Sequence, residues 1–193
     1  NLTITPNVNN SILSWTGFDI GVGQQVEFVM PDAASRILNR INSGSMSLIQ
    51  GTLLSNGHVY LINPNGITFS STSVVNAGRI YAAGGMMSDA DFLNGTDRFT
   101  ALSGVISNSG EITGGEVHLV GNQVINTSTG TVDGGLISFS TGDEVIIQRV
   151  GDGISLRIDD EDLGAPTAGP VAANLNGDAA ISNMGTVQSS SNG

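Results

Sequence analysis

Val59-Tyr60-Leu61-Ile62-Asn63-Pro64-Asn65-Gly66-Ile67-Thr68-Phe69 sets two short apolar, β-prone runs on either side of a four-residue turn. Pro64 has its φ set for the second position of a tight turn, and Asn65-Gly66 tolerates the positive φ such a turn needs. The chain enters as a strand, bends sharply and leaves as a strand. Taken alone, that is a hairpin or one corner of a coiled solenoid. The surrounding sequence has to decide between them.

Composition narrows the choice. The chain has 193 residues, enough for one domain with a real core or one elongated module. It holds 27 glycines, above the usual share of about 7%. They follow no three-residue period, which excludes collagen. The apolar residues are mostly Val, Ile, Leu and Ala, which suits many short strands divided by turns. Six arginines and no lysine face 17 carboxylates, for a net charge of −11. Such a surface repels nucleic acid, whose phosphates need Lys and Arg, and anionic membranes. No cysteine is present, so disulfides, thiolate metal sites and cysteine nucleophiles are excluded. No apolar run is long enough to span a bilayer as a helix. The start at Asn1 lacks a signal-peptide pattern; the chain begins after one or without one.

Read in order, Leu2–Ile4, Ile12–Trp15 and Val26–Met30 are short strands, and Trp15 and Phe18 fill or cap a core. The segment 33–41 is ambiguous. Asp32 could cap a helix carrying Ile37, Leu38 and Ile41 on one side, or Arg36–Ile41 could be a strand. A phrase then recurs. It stands at Val74-Val75-Asn76-Ala77-Gly78-Arg79-Ile80, at Val105–Ile112, at Val124–Val132 with two extra residues, and at Ala180–Val187. Gly114-Gly115 and Gly134-Gly135 follow two of these copies, 20 residues apart, each leading into an alternating strand. Strand, Asn-x-Gly turn, strand, Gly-Gly turn, strand, at that period, marks a stacked repeat. One unit cannot bury its apolar face alone, so neighbours must stack. At about 4.8 Å per rung the strands form parallel sheets. Corner asparagines are expected to hydrogen-bond to one another along the axis. The expected fold is all-β, a right-handed parallel β-helix, its hand following from the crossover rule. Two stretches break the period, at about 84–103 and about 151–177. Met86, Met87, Phe92 and Phe99 of the first are expected to cover the faces of rungs. An unclosed last rung would leave an open sheet edge, so a longer protein or an unseen cap is expected.

The ordered phrases Ile12–Gly21, Val26–Phe28, Leu38-Asn39-Arg40-Ile41, Ile49–Leu53, Asn56–Ile62 and Asn63–Ile67 resemble a known family over nearly the whole chain. It is the amino-terminal secretion domain of two-partner secretion (TPS) exoproteins, of the filamentous-haemagglutinin and high-molecular-weight-adhesin type. The resemblance implies one secretion domain over residues 1–193, an amino-terminal cap and extra-helical hairpins. It implies a dedicated outer-membrane barrel transporter with periplasmic domains, which meets the chain unfolded or extended. The remainder of the exoprotein, carboxy-terminal to this domain, follows, and the product is secreted or held at the cell surface of a Gram-negative bacterium. The family's Asn-Pro-Asn-Gly-Ile motif maps onto Asn63, Pro64, Asn65, Gly66 and Ile67, and its Asn-Arg pair onto Asn39 and Arg40. A second Asn-Pro-Asn-Leu motif of part of the family is absent here. Asn63–Ile67 either shapes the first rungs or is read directly by the transporter.

Other chemistry has thinner support. β-Helices also host polysaccharide lyases and glycosidases, so a carbohydrate-active enzyme is the rival reading, with a stand-alone solenoid binding surface glycans as another. Glycoside hydrolysis wants two carboxylates across a cleft. The one dense acidic run, Asp159-Asp160-Glu161-Asp162, falls in a Gly/Pro-rich stretch. Asp159, Asp160 and Asp162 are a weak Ca²⁺ candidate that lacks alternating ligand spacing. His58 and His118 have no second ligand at metal spacing and no nucleophile motif. The expectation is a non-enzyme with no cofactor. The sequons at Asn1, Asn94 and Asn126 read as turns.

Overall fold

The computed structural model describes residues 1–150, 153–159 and 180–189. The first turn of the chain lays down β1 (Leu2–Ile4) and β2 (Asn10–Trp15), then passes Ile20, which bridges in parallel to Ile49. The next supplies β3 (Gln25–Phe28), β4 (Arg36–Ile41) and β5 (Ser47–Ile49). After it come β6 (Thr52–Ser55), β7 (His58–Ile62) and β8 (Ile67–Phe69). β9 (Val74–Ala83) then runs through two sides without a break. A detour carries α1 (Asp89–Asn94) and β10 (Asp97–Thr100) before β11 (Val105–Asn108) closes that turn. β12 (Glu111–Gly121), β13 (Gln123–Asn126) and β14 (Thr131–Thr141) continue the stack. β15 (Glu144–Val150) and β16 (Gly153–Asp159) leave it, and β17 (Ile181–Asn183) and β18 (Thr186–Gln188) resume it.

The pairing makes a three-sided parallel β-helix. One side runs β1-β3-β6-β9-β12-β14-β18, and a second runs β2-β4-β7 into the far halves of β9, β12 and β14. The third is β5-β8-β11-β13-β17. Rung pairs within these sides are parallel, for example Val26↔Leu53, Val59↔Ile80 and Ile106↔Val124. β7 and β8 lie on different sides and do not pair, so Asn63–Gly66 is a corner and not a hairpin turn. Gly57, Gly78, Gly115 and Gly135 sit at the bend between the first two sides. A Cβ on Gly115 would lie 2.8 Å from the Gly78 carbonyl oxygen, so the corners stack only because they carry no side chain.

Period-two alternation sorts the second side into two cores. Ile37, Val59, Leu61, Ile80, Val117 and Leu119 point into the helix with Phe28, Phe69 and Ile106. Their outward neighbours Leu38, Tyr60, Ile62, Tyr81 and Val120 would be exposed on a bare solenoid. They are covered by Met87, Phe92, Phe99, Leu102, Val145 and Ile147 from the two detours. The cover is an antiparallel sheet, β10-β15-β16, with α1 beside it. Ser88 caps α1 by accepting from the Asp91 N–H, and Gly95 ends it in the left-handed conformation. Trp15 and Phe18, edge to face at 5.2 Å, close the first rung against the inner core.

The ambiguous segment 33–41 is a strand over Arg36–Ile41. Residues of both parities are buried there, Ile37 and Ile41 inward and Leu38 outward, between β2 and β7. The first copy of the repeated phrase needs a correction. Val74-Val75 pairs with Glu111-Ile112, one side of the rung away from Val105-Ile106, whose partner below is Ile67 and not Val74. Asn76 is therefore exposed and outside the asparagine column. The column itself forms as expected. Asn108 Nδ2 donates to Asn126 Oδ1 at 2.9 Å, and Asn126 Nδ2 to Asn183 Oδ1 at 2.8 Å. Asn108 and Asn126 are wholly buried, which leaves the Asn126 sequon unavailable in the folded domain.

Replacing Asn108 by Ala strands the Gly110 N–H, which now donates to its Oδ1 at 3.1 Å, along with one lone pair of Asn126. The expected loss is about 1–3 kcal/mol in urea unfolding. Asn76→Ala, outside the column, should change stability by less than about 0.5 kcal/mol. Equal effects would contradict the register.

Candidate functional site

The corner Asn63–Ile67 is held at nearly every polar atom. Asn63 is fully buried. Its Nδ2 donates to the Ser45 carbonyl and to Ser47 Oγ, both at 3.1 Å, and its Oδ1 accepts from Asn65 N at 2.9 Å. Its own N–H donates to Ala83 O on the next rung, and its carbonyl accepts from Gly66 N. The corner is thus a Pro-Asn turn braced by the side chain of its first residue. The positive φ falls on Gly66, at +96°, and not on Asn65. A Cβ at Gly66 would stand 2.5 Å from Val105 O, so strain and space both demand glycine. Gly66 O accepts from Ser47 N of the rung below, and Pro64 O accepts from Ser103 Oγ at the end of the detour. Ile67 is buried in the inner core. Only Asn65, whose Nδ2 reaches Ser43 O at 2.7 Å, is exposed.

Asn39 and Arg40 lie one strand away, with Arg40 in register with Ile62. Asn39 points inward. It accepts from Trp15 Nε1 at 3.1 Å and donates to Tyr60 O at 3.3 Å, which ties the first rung to β7. Arg40 points outward and donates to Met87 O at 2.8 Å and Asp89 at 2.6 Å. Arg36, four residues before it on the same face, donates to Phe92 O at 2.8 Å and stacks 4.9 Å over the Phe92 ring. The two arginines of β4 therefore grip α1 at either end, Arg36 meeting the Phe92 carbonyl of its carboxy-terminal turn. Arg40 and Pro64 line one small cavity of about 280 Å³ with Ile62, Met86 and Met87. The structure thus joins the Asn-Arg pair and the Asn-Pro-Asn-Gly-Ile corner into one neighbourhood. The grip on α1 has no local signature: Arg36 and Phe92 are 56 residues apart.

A stacked column runs outside the second side. Tyr60 and Tyr81 lie parallel at 4.3 Å, and His118 stacks on Tyr81 at 4.7 Å. Asp97 of β10 accepts from the Tyr60 hydroxyl at 2.8 Å, and burial raises its pKa despite that bond. Burial pushes the Tyr81 hydroxyl up to about 12 and Tyr60 higher still. His118 is fully buried, and desolvation lowers its pKa to about 4. A neutral ring donates from Nε2 to Glu116 at 3.3 Å and accepts at Nδ1 from Ser138 at 2.7 Å. Among the described residues no group of three or more His, Asp or Glu is placed to hold a metal ion. Asp160, Asp162 and the Asp159 side chain lie outside the described residues.

The TPS secretion domain family matches residues 2–192 of the chain. The chain belongs to the TPS secretion domain family. Its fold is similar to the secretion domain of HMW1 from Haemophilus influenzae, with a TM-score of 0.66 and 30% identity over 79% of this chain and 44% of that one. It is also similar to heme/hemopexin-binding proteins of Haemophilus influenzae, at 41% and 36% identity over 81 residues. That stretch covers 42% of this chain and 9% of each relative's length.

Folding holds His118 below its ordinary value of 6.5, so the unfolded chain binds that proton more tightly. Stability from the neutral ring is complete above about pH 6.5 and falls as the pH drops towards 4. His58, lowered to about 4, has the same sign; Asp97, raised, has the opposite one. Urea midpoints should fall between pH 7.5 and 5.0, and His118→Gln should flatten that fall. An unchanged slope would contradict a neutral buried imidazole.

Proposed function

We propose that this chain is the part of a longer, non-enzymatic exoprotein that a two-partner barrel transporter reads while it is still extended. The rest of the exoprotein, carboxy-terminal to this domain, then follows it out. The chain first meets the transporter's periplasmic domains, which it engages by adding a strand to a sheet edge. It then threads the barrel and stacks rung by rung outside the cell, which opposes back-sliding. The observation that supports this order is the burial of Asn63, Gly66 and Ile67. A partner that reads these residues has to meet them before the corner closes. The first rungs then nucleate the helix, because Asn39 and Asn63 each tie a rung to its neighbour one turn of the chain away. Whether the product stays at the surface or is released depends on sequence beyond this domain.

Asn65 separates reading from shaping. It is exposed, and the turn-bracing bond uses its backbone N–H, so Asn65→Ala should cost less than about 1 kcal/mol. Asn63→Ala leaves buried partners unpaired and should cost about 1–3 kcal/mol. Co-expressed with the transporter, both variants should reach the medium several-fold less than the parent. If Asn65→Ala is secreted normally and only Asn63→Ala fails, the motif acts through the fold alone.

A further inference from the structure

We propose that the cleft between the second side of the helix and its antiparallel cover binds a small organic oxyanion of the acidic-sugar class. The cleft has a volume of about 490 Å³, and Arg36, Arg79 and Arg149 all line it. In a chain of net charge −11 with six basic side chains, three of the six converge on this one hollow. Their charge is not used up. Arg79 and Arg149 share a single carboxylate, Glu116. Among the described residues, Arg36 bonds only the neutral acceptors Phe92 O and Asn10 Oδ1. Asp97, on the same wall, is turned to a tyrosine hydroxyl. Among the lining groups and their direct ion pairs, three guanidiniums meet two carboxylates, Glu116 and Asp97, which leaves one positive charge; Asp32, outside the lining, is bonded to Asn9, Ser35 and the Ala34 N–H.

His58 marks where that charge is felt. Its half-buried ring has no hydrogen-bond partner among the described residues, and its pKa is lowered first by burial and then by Arg79, Arg36 and Arg149. Asp32 acts on it in the opposite sense. An oxyanion beside this ring would accept from the partly exposed Arg149 and Arg79 forks in the bidentate manner guanidinium favours. A bare inorganic anion would fill a minor part of the hollow. The remainder is edged by Thr96 and Gln148, whose side chains suit hydroxyl groups.

The test follows the His58 Cε1–H resonance at pH 6 and constant ionic strength while sodium glucuronate, sodium phosphate or glucose is added. Glucuronate should shift it saturably, phosphate more weakly, and glucose not at all. Bound anion should raise the apparent pKa of His58 from about 4, because it favours the imidazolium. Arg149→Gln should weaken glucuronate about tenfold, the loss of one charge-assisted pair. Arg149→Lys should fall between, and Arg98→Gln, in the same cover but paired with Glu144, should match the parent. Thermal melting of each variant checks that the fold is kept. No saturable shift, an equal response to glucose, or indifference to both Arg149 variants overturns the site. Phosphate binding as tightly as glucuronate overturns the sugar class.

Discussion

Everything in this domain depends on one rung lying in register on the next. A single turn of the chain exposes half of its apolar residues and cannot persist alone. Stacked in parallel, the rungs pair their backbone groups and pile Val, Ile and Leu into columns. A slip of one residue would turn Ile37, Val59, Ile80 and Val117 outwards together. Register therefore needs pins. The corners supply them through glycines that admit no side chain, the Asn108–Asn126–Asn183 column, and Asn63 with bonds to the rungs on both sides.

The outward face of the second side sets the other constraint. Tyr60, Tyr81 and Ile62 are too apolar to face water, and the detours exist structurally to cover them. Arg36 and Arg40 hold that cover by α1, while Asp97 reaches the tyrosine hydroxyls from β10. Burial then keeps His118 and the tyrosines neutral. The same cover creates the cationic cleft, since Arg149 arrives from β15 and Arg79 from β9.

The strands of the stacked rungs, the Gly-Gly spacing and the stacked asparagines were legible in the sequence, because each is a local pattern repeated at the rung period; α1, β10 and β15 of the cover, which follow no such period, were not. The misplacement of Val74–Ile80 has a physical cause. A strand followed by Asn-x-Gly can turn either corner of a rung, and only the partner strand says which. Segment 33–41 was undecided because burial on both sides of β4 erases the alternation that marks a strand. The neighbourhood of Asn39, Arg40 and Asn63–Ile67 was partly legible by resemblance to a family. Their bonds were not, since Arg40 to Met87 and Pro64 to Ser103 span 47 and 39 residues. The convergence of Arg36, Arg79 and Arg149 had no sequence signal at all.

The Asn63–Ile67 corner is consumed by the fold: Asn63, Gly66 and Ile67 are inside it. A secretion partner that uses them must act on the unfolded chain. The direct measurement is binding to the transporter's purified periplasmic domains by chain freshly diluted from urea, against chain already folded. Trp15, the single tryptophan, bonded to Asn39 at the first rung, reports folding by its fluorescence in the same sample. Binding should be present at dilution and decay at the rate of the Trp15 signal. Folded chain that binds as well as unfolded chain would contradict the account.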